Sequence, residues 1–177
     1  QDLGVLVMSE AFGNEYGVLY QKANQDHHAL EVLEQSRWKT DHCEIGAWLA
    51  ETWELPEVLR EAVRGSHNPS LATSEDDVSR LTIRCVALSG RLADMWCHPQ
   101  TDIAIQTAMD LSRELVDLDP EGLIEVAKHI SEGIPDMSAF FQINLGKPEE
   151  IQKVLALLEQ TIHAPAPTET PEPVPAS

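Results

Sequence analysis

Asp41-His42-Cys43-Glu44-Ile45-Gly46-Ala47-Trp48-Leu49-Ala50-Glu51-Thr52-Trp53-Glu54-Leu55-Pro56, continuing to Gly65-Ser66-His67-Asn68-Pro69, is the stretch that decides how this chain folds. It reads as two helices joined by a tight turn. Ile45, Trp48, Leu49 and Thr52/Trp53 mark one apolar stripe; Leu55, Val58, Leu59, Ala62 and Val63 mark the next. Both stripes follow the i, i+3, i+4, i+7 spacing of an amphipathic helix. Pro56 suits a first helical turn, where its missing N–H costs nothing. Antiparallel helices set the start of one beside the end of the other. His42 and His67 are therefore expected to lie close together, as a metal site or the remains of one.

The flanking sequence is helical as well. Asp2 to Met8 is an apolar run that periodicity leaves open between a strand and a buried helix. Phe12 to Ala23 and Ala29 to Trp38 read as helices, the second capped near Asp26. A capping box of Ser74 and Asp77 opens the longest helix, Glu75 to Trp96, striped by Val78, Leu81, Cys85, Leu88, Leu92 and Met95. Thr101 or Asp102 caps a helix reaching Val116. Asp119-Pro120 begins another, ended by Gly133 and Pro135, and Met137, Phe140, Phe141 and Ile143 form a short apolar piece. Pro148 starts a last helix with Ile151, Val154, Leu155, Leu158 and Ile162 on one face. Residues 164–177 hold 5 of the 11 prolines and read as a disordered, Pro-rich tail after a helical domain over residues 1–163.

Composition narrows the function. The chain has 177 residues, with 42% hydrophobic and 24% charged, in the range of a globular domain. Its 12 Lys+Arg against 30 Asp+Glu leave a formal charge of −18, a field that repels nucleic-acid backbones and anionic membranes. Cys43, Cys85 and Cys97 form no CxxC pair, which fits free thiols in a reducing cytoplasm. There is no apolar run of membrane-spanning length. The opening at Gln1, inside a structured segment, reads as a fragment whose N-terminal part is missing.

Gln1-Asp2-Leu3-Gly4, Glu34, His42-x-x-x-Gly46, Trp53-Glu54-Leu55-Pro56 and Ser66-His67-Asn68-Pro69 occur in an order that resembles the HDOD domain. This is the HD-related output domain of bacterial signalling proteins, a relative of the HD metal-dependent phosphohydrolases. The resemblance covers Gln1 to Trp96 by motif and extends more weakly to Gln160. It implies an all-α, HD-superfamily-like helical bundle. It also implies C-terminal helices that lead into a diguanylate-cyclase (GGDEF) or other partner domain.

HD enzymes hold their ion with a His-Asp pair, further histidines and a distant Asp. Such an ion polarises a phosphoryl oxygen and supplies hydroxide. Here the His-Asp pair reads Gln1-Asp2, the His-His pair reads Ser66-His67, and the Ala-Asp position falls on Ser89-Gly90. Asp2, His42 and His67 remain as vestigial positions; Gln1, Ser66 and Gly90 are substituted ones. Asp94, one turn beyond Gly90, is expected to point elsewhere.

The resemblance thus implies a cytoplasmic, non-catalytic signal-transduction module with no cofactor. Its partners would be signalling domains, such as a GGDEF or a response-regulator receiver domain. Two alternatives stay open. One is a metal-dependent phosphohydrolase acting on a nucleotide or cyclic dinucleotide with Mn, Fe, Mg or Zn, since three ligands can hold a zinc ion. The other is a passive helical interaction scaffold.

Each of these residues also has a plainer reading. Asp41 can cap a helix over His42, His67 can favour a helix C-terminus, and Asp2 can cap a helix. His27 and His28 are expected at the surface. Trp38, Trp48, Trp53 and Trp96 are expected in the core. Arg80, Arg84 and Arg91 share one side of the long helix, either binding an anion or snorkelling around a buried element.

Overall fold

The computed structural model describes residues 1–23, 26–71 and 75–164, and all regular structure among them is helical. The Ser74 half of the expected capping box and residues 165–177 of the expected tail lie outside the described residues, as does the side chain of His27.

The opening apolar run is a helix, α1 (Leu3–Phe12), with Gly4 and Met8 buried one turn apart. Phe12 ends it. Gly13, at φ +50°, turns the chain into α2 (Asn14–Ala23), so the helix expected to begin at Phe12 is split. Asp26 caps α3 (His27–Trp38) by accepting from the backbone N–H groups of His28 and Ala29 at 2.9 and 3.1 Å.

The expected hairpin is present as α4 (His42–Thr52) and α5 (Glu57–Arg64). Asp41 caps α4 through Glu44 N–H at 2.9 Å, and its second oxygen accepts from Gln35 Nε2 at 2.7 Å. Pro56 sits one residue before α5, in the capping position.

The buried face of α4 differs from the expected stripe. His42, Cys43, Gly46, Ala47 and Ala50 face inward, while Trp48 and Trp53 are each 57% exposed. The reason is steric. A Cβ on Gly4 would stand 1.8 Å from the His42 carbonyl oxygen, so α1 and α4 cross backbone on backbone, and only small residues fit the seam. Of the other two tryptophans, Trp38 stacks on Phe12 with ring centroids 4.3 Å apart, and Trp96 packs partly buried against the C-terminal core.

The remaining helices form a second layer. The long helix α6 (Asp77–Cys97) is capped by Asp76, which accepts from Ser79 N–H at 2.8 Å. Its C-terminal half (Leu88, Leu92, Met95) meets Ile105 and Ala108 of α7 (Thr101–Val116) in the core. Leu123, Ile124 and Ala127 of α8 (Pro120–Phe141) and Leu155 and Leu158 of α9 (Pro148–Ile162) complete that core. The N-terminal half of the predicted α6 stripe is exposed at Val78, Leu81 and Cys85. No side chain caps α7, contrary to the expected Thr101 or Asp102.

Nor does α8 stop at Gly133 and Pro135: the helix runs through both to Phe141. Its end is tied down by Ser138, whose backbone oxygen accepts from Ile143 N–H at 3.1 Å and whose hydroxyl donates back to the Ile143 carbonyl. Met137, Phe140, Phe141 and Ile143 are exposed. Among the described residues no helix is long and apolar enough to cross a membrane.

Two glycines test the α1–α4 seam. Gly4→Ala should cost about 3 kcal/mol or more in urea unfolding, because a backbone atom cannot yield. Gly17→Ala on the exposed face of α2, where an added Cβ meets nothing within 4 Å, should instead stabilise by about 0.5–1 kcal/mol.

Candidate functional site

The capped start of α4 delivers His42 into the interior, where it is fully buried. Its Nδ1 lies 2.6 Å from Glu34 Oε2, and the same oxygen accepts the His42 backbone N–H at 2.9 Å. Tyr16 donates its hydroxyl to the other oxygen, Glu34 Oε1, at 2.6 Å. Glu34 is as completely buried as His42. A carboxylate only accepts, so the His42 Nδ1 carries a proton. Burial, reinforced by the bond to Glu34, raises the Tyr16 phenol well above its ordinary range and keeps it a donor.

His42 Nε2 lies 2.8 Å from His67 Nε2, with the rings edge to face at 79°. One of these two nitrogens donates to the other. The two imidazoles that the hairpin was expected to bring together therefore meet directly. Neither plainer reading describes them: Asp41 does cap α4, but the imidazole of His42 reaches Glu34 and His67, and α5 ends at Arg64, short of His67.

The substituted positions are filled by contacts of their own. Ser66 is buried, with Oγ 3.2 Å from Cys43 Sγ. A Cβ on Gly90 would come 2.8 Å from Gln1 Nε2, so the Gln1 amide lies against α6 where a side chain at that position would start. Asp2 occupies the position before α1 without capping it. Instead it lines a cavity of about 540 Å³ together with Gln1, His67, Gly90 and Asp94. Asp94 was expected to point elsewhere. It lies on the cavity wall because α6 presents Gly90, Ala93 and Asp94 to this side, with Arg91 3.4 Å from the Asp94 carboxylate.

Could an HD-type ion fit these donors? His42 Nε2, His67 Nε2 and Cys43 Sγ lie within 4.8 Å of one another. A tetrahedral ion, about 2.0–2.1 Å from each nitrogen, would hold the two nitrogens about 3.3 Å apart. They stand at 2.8 Å, a hydrogen-bond distance. Burial first, then the nearby acids Asp41, Glu31 and Asp2, push the Cys43 thiol up to about 12 against the pull of the Ser66 bond. The contact between His42 and His67 is that of a hydrogen-bonded pair, and the carboxylates of Asp2 and Asp94 line the cavity beside His67.

Residues 1–69 match the HDOD domain family. The match is partial; it contains Gln1, Asp2, Glu34, His42, Ser66 and His67, and it ends short of the expected Trp96, so the reading of Gly90 stands outside it. No curated protein and no solved structure matches the chain.

Sequence reasoning placed Glu34 in the pattern but missed Tyr16, its partner eighteen positions away. A tyrosine with an acid carries no spacing signal when the two sit on different helices.

Glu34→Ala would strand three buried donors or their rings and should cost about 3–5 kcal/mol in urea unfolding. Tyr16→Phe, losing one bond to a carboxylate, should cost about 1.5–3 kcal/mol. Equal, small effects of both would show that the network is not what holds α2, α3 and α4 together.

The thiols give a separate check. At neutral pH a disulfide reagent should titrate exposed Cys85 first, then Cys97, whose thiol is raised by burial and by Asp94, and Cys43 only after unfolding. Because the folded-state value of Cys43 is raised, its contribution to stability is present below the ordinary value of 9.0. That contribution is lost as pH climbs toward about 12. Rapid modification of all thiols in the folded chain would contradict this.

Proposed function

We propose that this chain is a non-catalytic signalling module of the HDOD type, which takes an input at the cavity beside His67 and relays it through α9 to another signalling domain, such as a GGDEF or receiver domain. The observation that carries this reading is the direct bond between His42 Nε2 and His67 Nε2. The two nitrogens that would hold an ion are spent on each other, while Gln1, Ser66 and Gly90 supply neither imidazole nor carboxylate. On this reading the site binds no metal and uses no cofactor, and the module works in the cytoplasm without contacting nucleic acid or membrane.

The relay has a structural route. The cavity wall includes Asn144, Leu145 and Gly146, the connection that leads into α9. Across it, Trp96 of α6 donates its indole N–H to the Ile151 carbonyl of α9 at 3.4 Å. Ile151, Leu155 and Leu158 bury α9 against the C-terminal layer. An input that prefers one position of the Asn144–Gly146 connection biases α9 by its difference in affinity, which is all that coupling requires.

One observation favours the phosphohydrolase alternative: the carboxylates of Asp2 and Asp94 face the same cavity as His67. Elemental analysis of the purified protein, followed by phosphodiester hydrolysis with added manganese or iron, separates the two. The relay reading expects no stoichiometric metal and no turnover above that of His42→Ala. Bound metal with turnover abolished by His42→Ala would establish the enzyme. For the scaffold alternative, partner output is measured with and without helix-disrupting substitutions in α9: a relay loses coupling, whereas a scaffold keeps binding and output alike.

A further inference from the structure

We infer that a second cleft, on the other side of His67, is a binding site for a small phosphate-bearing ligand. The cleft has a volume of about 510 Å³ and lies among α3, the α5–α6 connection, α6 and α7. Its polar wall is made by His28, His67, Ser70, Arg84, Arg91 and Glu114. In a chain of charge −18 with 12 Lys+Arg in all, two arginines face one concavity whose lining holds a single carboxylate, Glu114, while His28 is paired with Glu31.

The arginines get there by helical register. Arg84, Ala87 and Arg91 follow an i, i+3, i+7 spacing, which puts all three on one face of α6. Ala87, buried, contributes only a methyl group to the floor, and the hollow above it lies between the two guanidinium stems. Two turns of helix separate the stems by roughly 10 Å, within the reach of both side chains toward a common diphosphate or two anionic groups.

Arg84 and Arg80 differ in a way that matters. Arg80 is engaged by the Asp77 carboxylate and by the Glu75 carbonyl at 2.9 Å. Among the described residues no carboxylate lies within ion-pair distance of Arg84. Arg91 is held from its other side by Asp94, which fixes a side chain that is only 21% exposed between the two cavities. Ser70 fixes the rim of the cleft, its Oγ–H and N–H both donated to Asn68 Oδ1 at 2.5 and 3.2 Å.

Guanidinium groups bind phosphate through paired N–H donors. The net field of the chain argues for a small ligand: it repels an extended polyanion at long range, while a compact anion inside the cleft senses chiefly the nearest arginines. Leu111 and Leu115 supply an apolar side on which the uncharged part of such a ligand can rest. This site shares only His67 with the relay reading and does not use α9, so the Arg84→Gln comparison tests it apart from that reading.

The test is titration of the full chain with pyrophosphate at low ionic strength, followed by calorimetry and by amide shifts, with malonate as a dicarboxylate of similar span. Saturable binding of pyrophosphate, tighter than malonate and localised at Ser70 and Leu111, is expected. Arg84→Gln, an exposed change that leaves the fold intact, should weaken it roughly tenfold. Arg80→Gln should leave it nearly unchanged. Equal weakening by both variants, tighter binding of malonate, or no saturation at millimolar pyrophosphate would overturn the assignment.

Discussion

Everything in the N-terminal half converges on the carboxylate of Glu34. Two oxygens with no access to water accept from the Tyr16 hydroxyl of α2, from the first backbone N–H of α4 and from the His42 imidazole. A buried carboxylate is tolerated only when its lone pairs are met by donors, and here three donors, one from Tyr16 and two from His42, meet them. The same bonds orient His42. Its proton is drawn to Nδ1, its Nε2 is turned outward, and His67 is met at 2.8 Å. The arrangement is the one by which metalloenzymes aim a histidine at an ion. In this chain the orientation is kept, and it directs Nε2 at a second imidazole.

How much of this was legible in the sequence follows the range of each interaction. The α4–α5 hairpin, the pairing of His42 with His67 and both ends of α9 were legible, because caps, prolines and helical periodicity are local signals. The inward face of α4 was not. Trp48 outweighs Ala47 in any count of apolar surface, yet the seam with α1 admits no bulk, and the smaller residue goes inside. Steric limits between segments distant in sequence leave no trace in either segment's own pattern.

The misjudged elements share a cause. Gly133 and Pro135 read as a helix end because each weakens a helix, but α8 continues through both to Phe141. The break at Gly13 falls just inside the helix expected from Phe12, where Phe12 belongs to α1 and Asn14 opens α2. Asp94 was set aside by counting one turn from Gly90; the cavity is wide enough that two successive turns of α6 reach its wall. The acidic composition hid a further feature, since a net charge says nothing of where Arg84 and Arg91 lie relative to each other.

The crossing at Gly4 and Gly46 has a mechanical meaning. Most helix pairs are cushioned by interleaved side chains that can change rotamer and absorb a shift. Here main chain rests on main chain, at the very peptide that holds His42. The joint has no slack: α1 cannot be displaced without dragging the imidazole along, and the histidine cannot move without the drag being felt at α1.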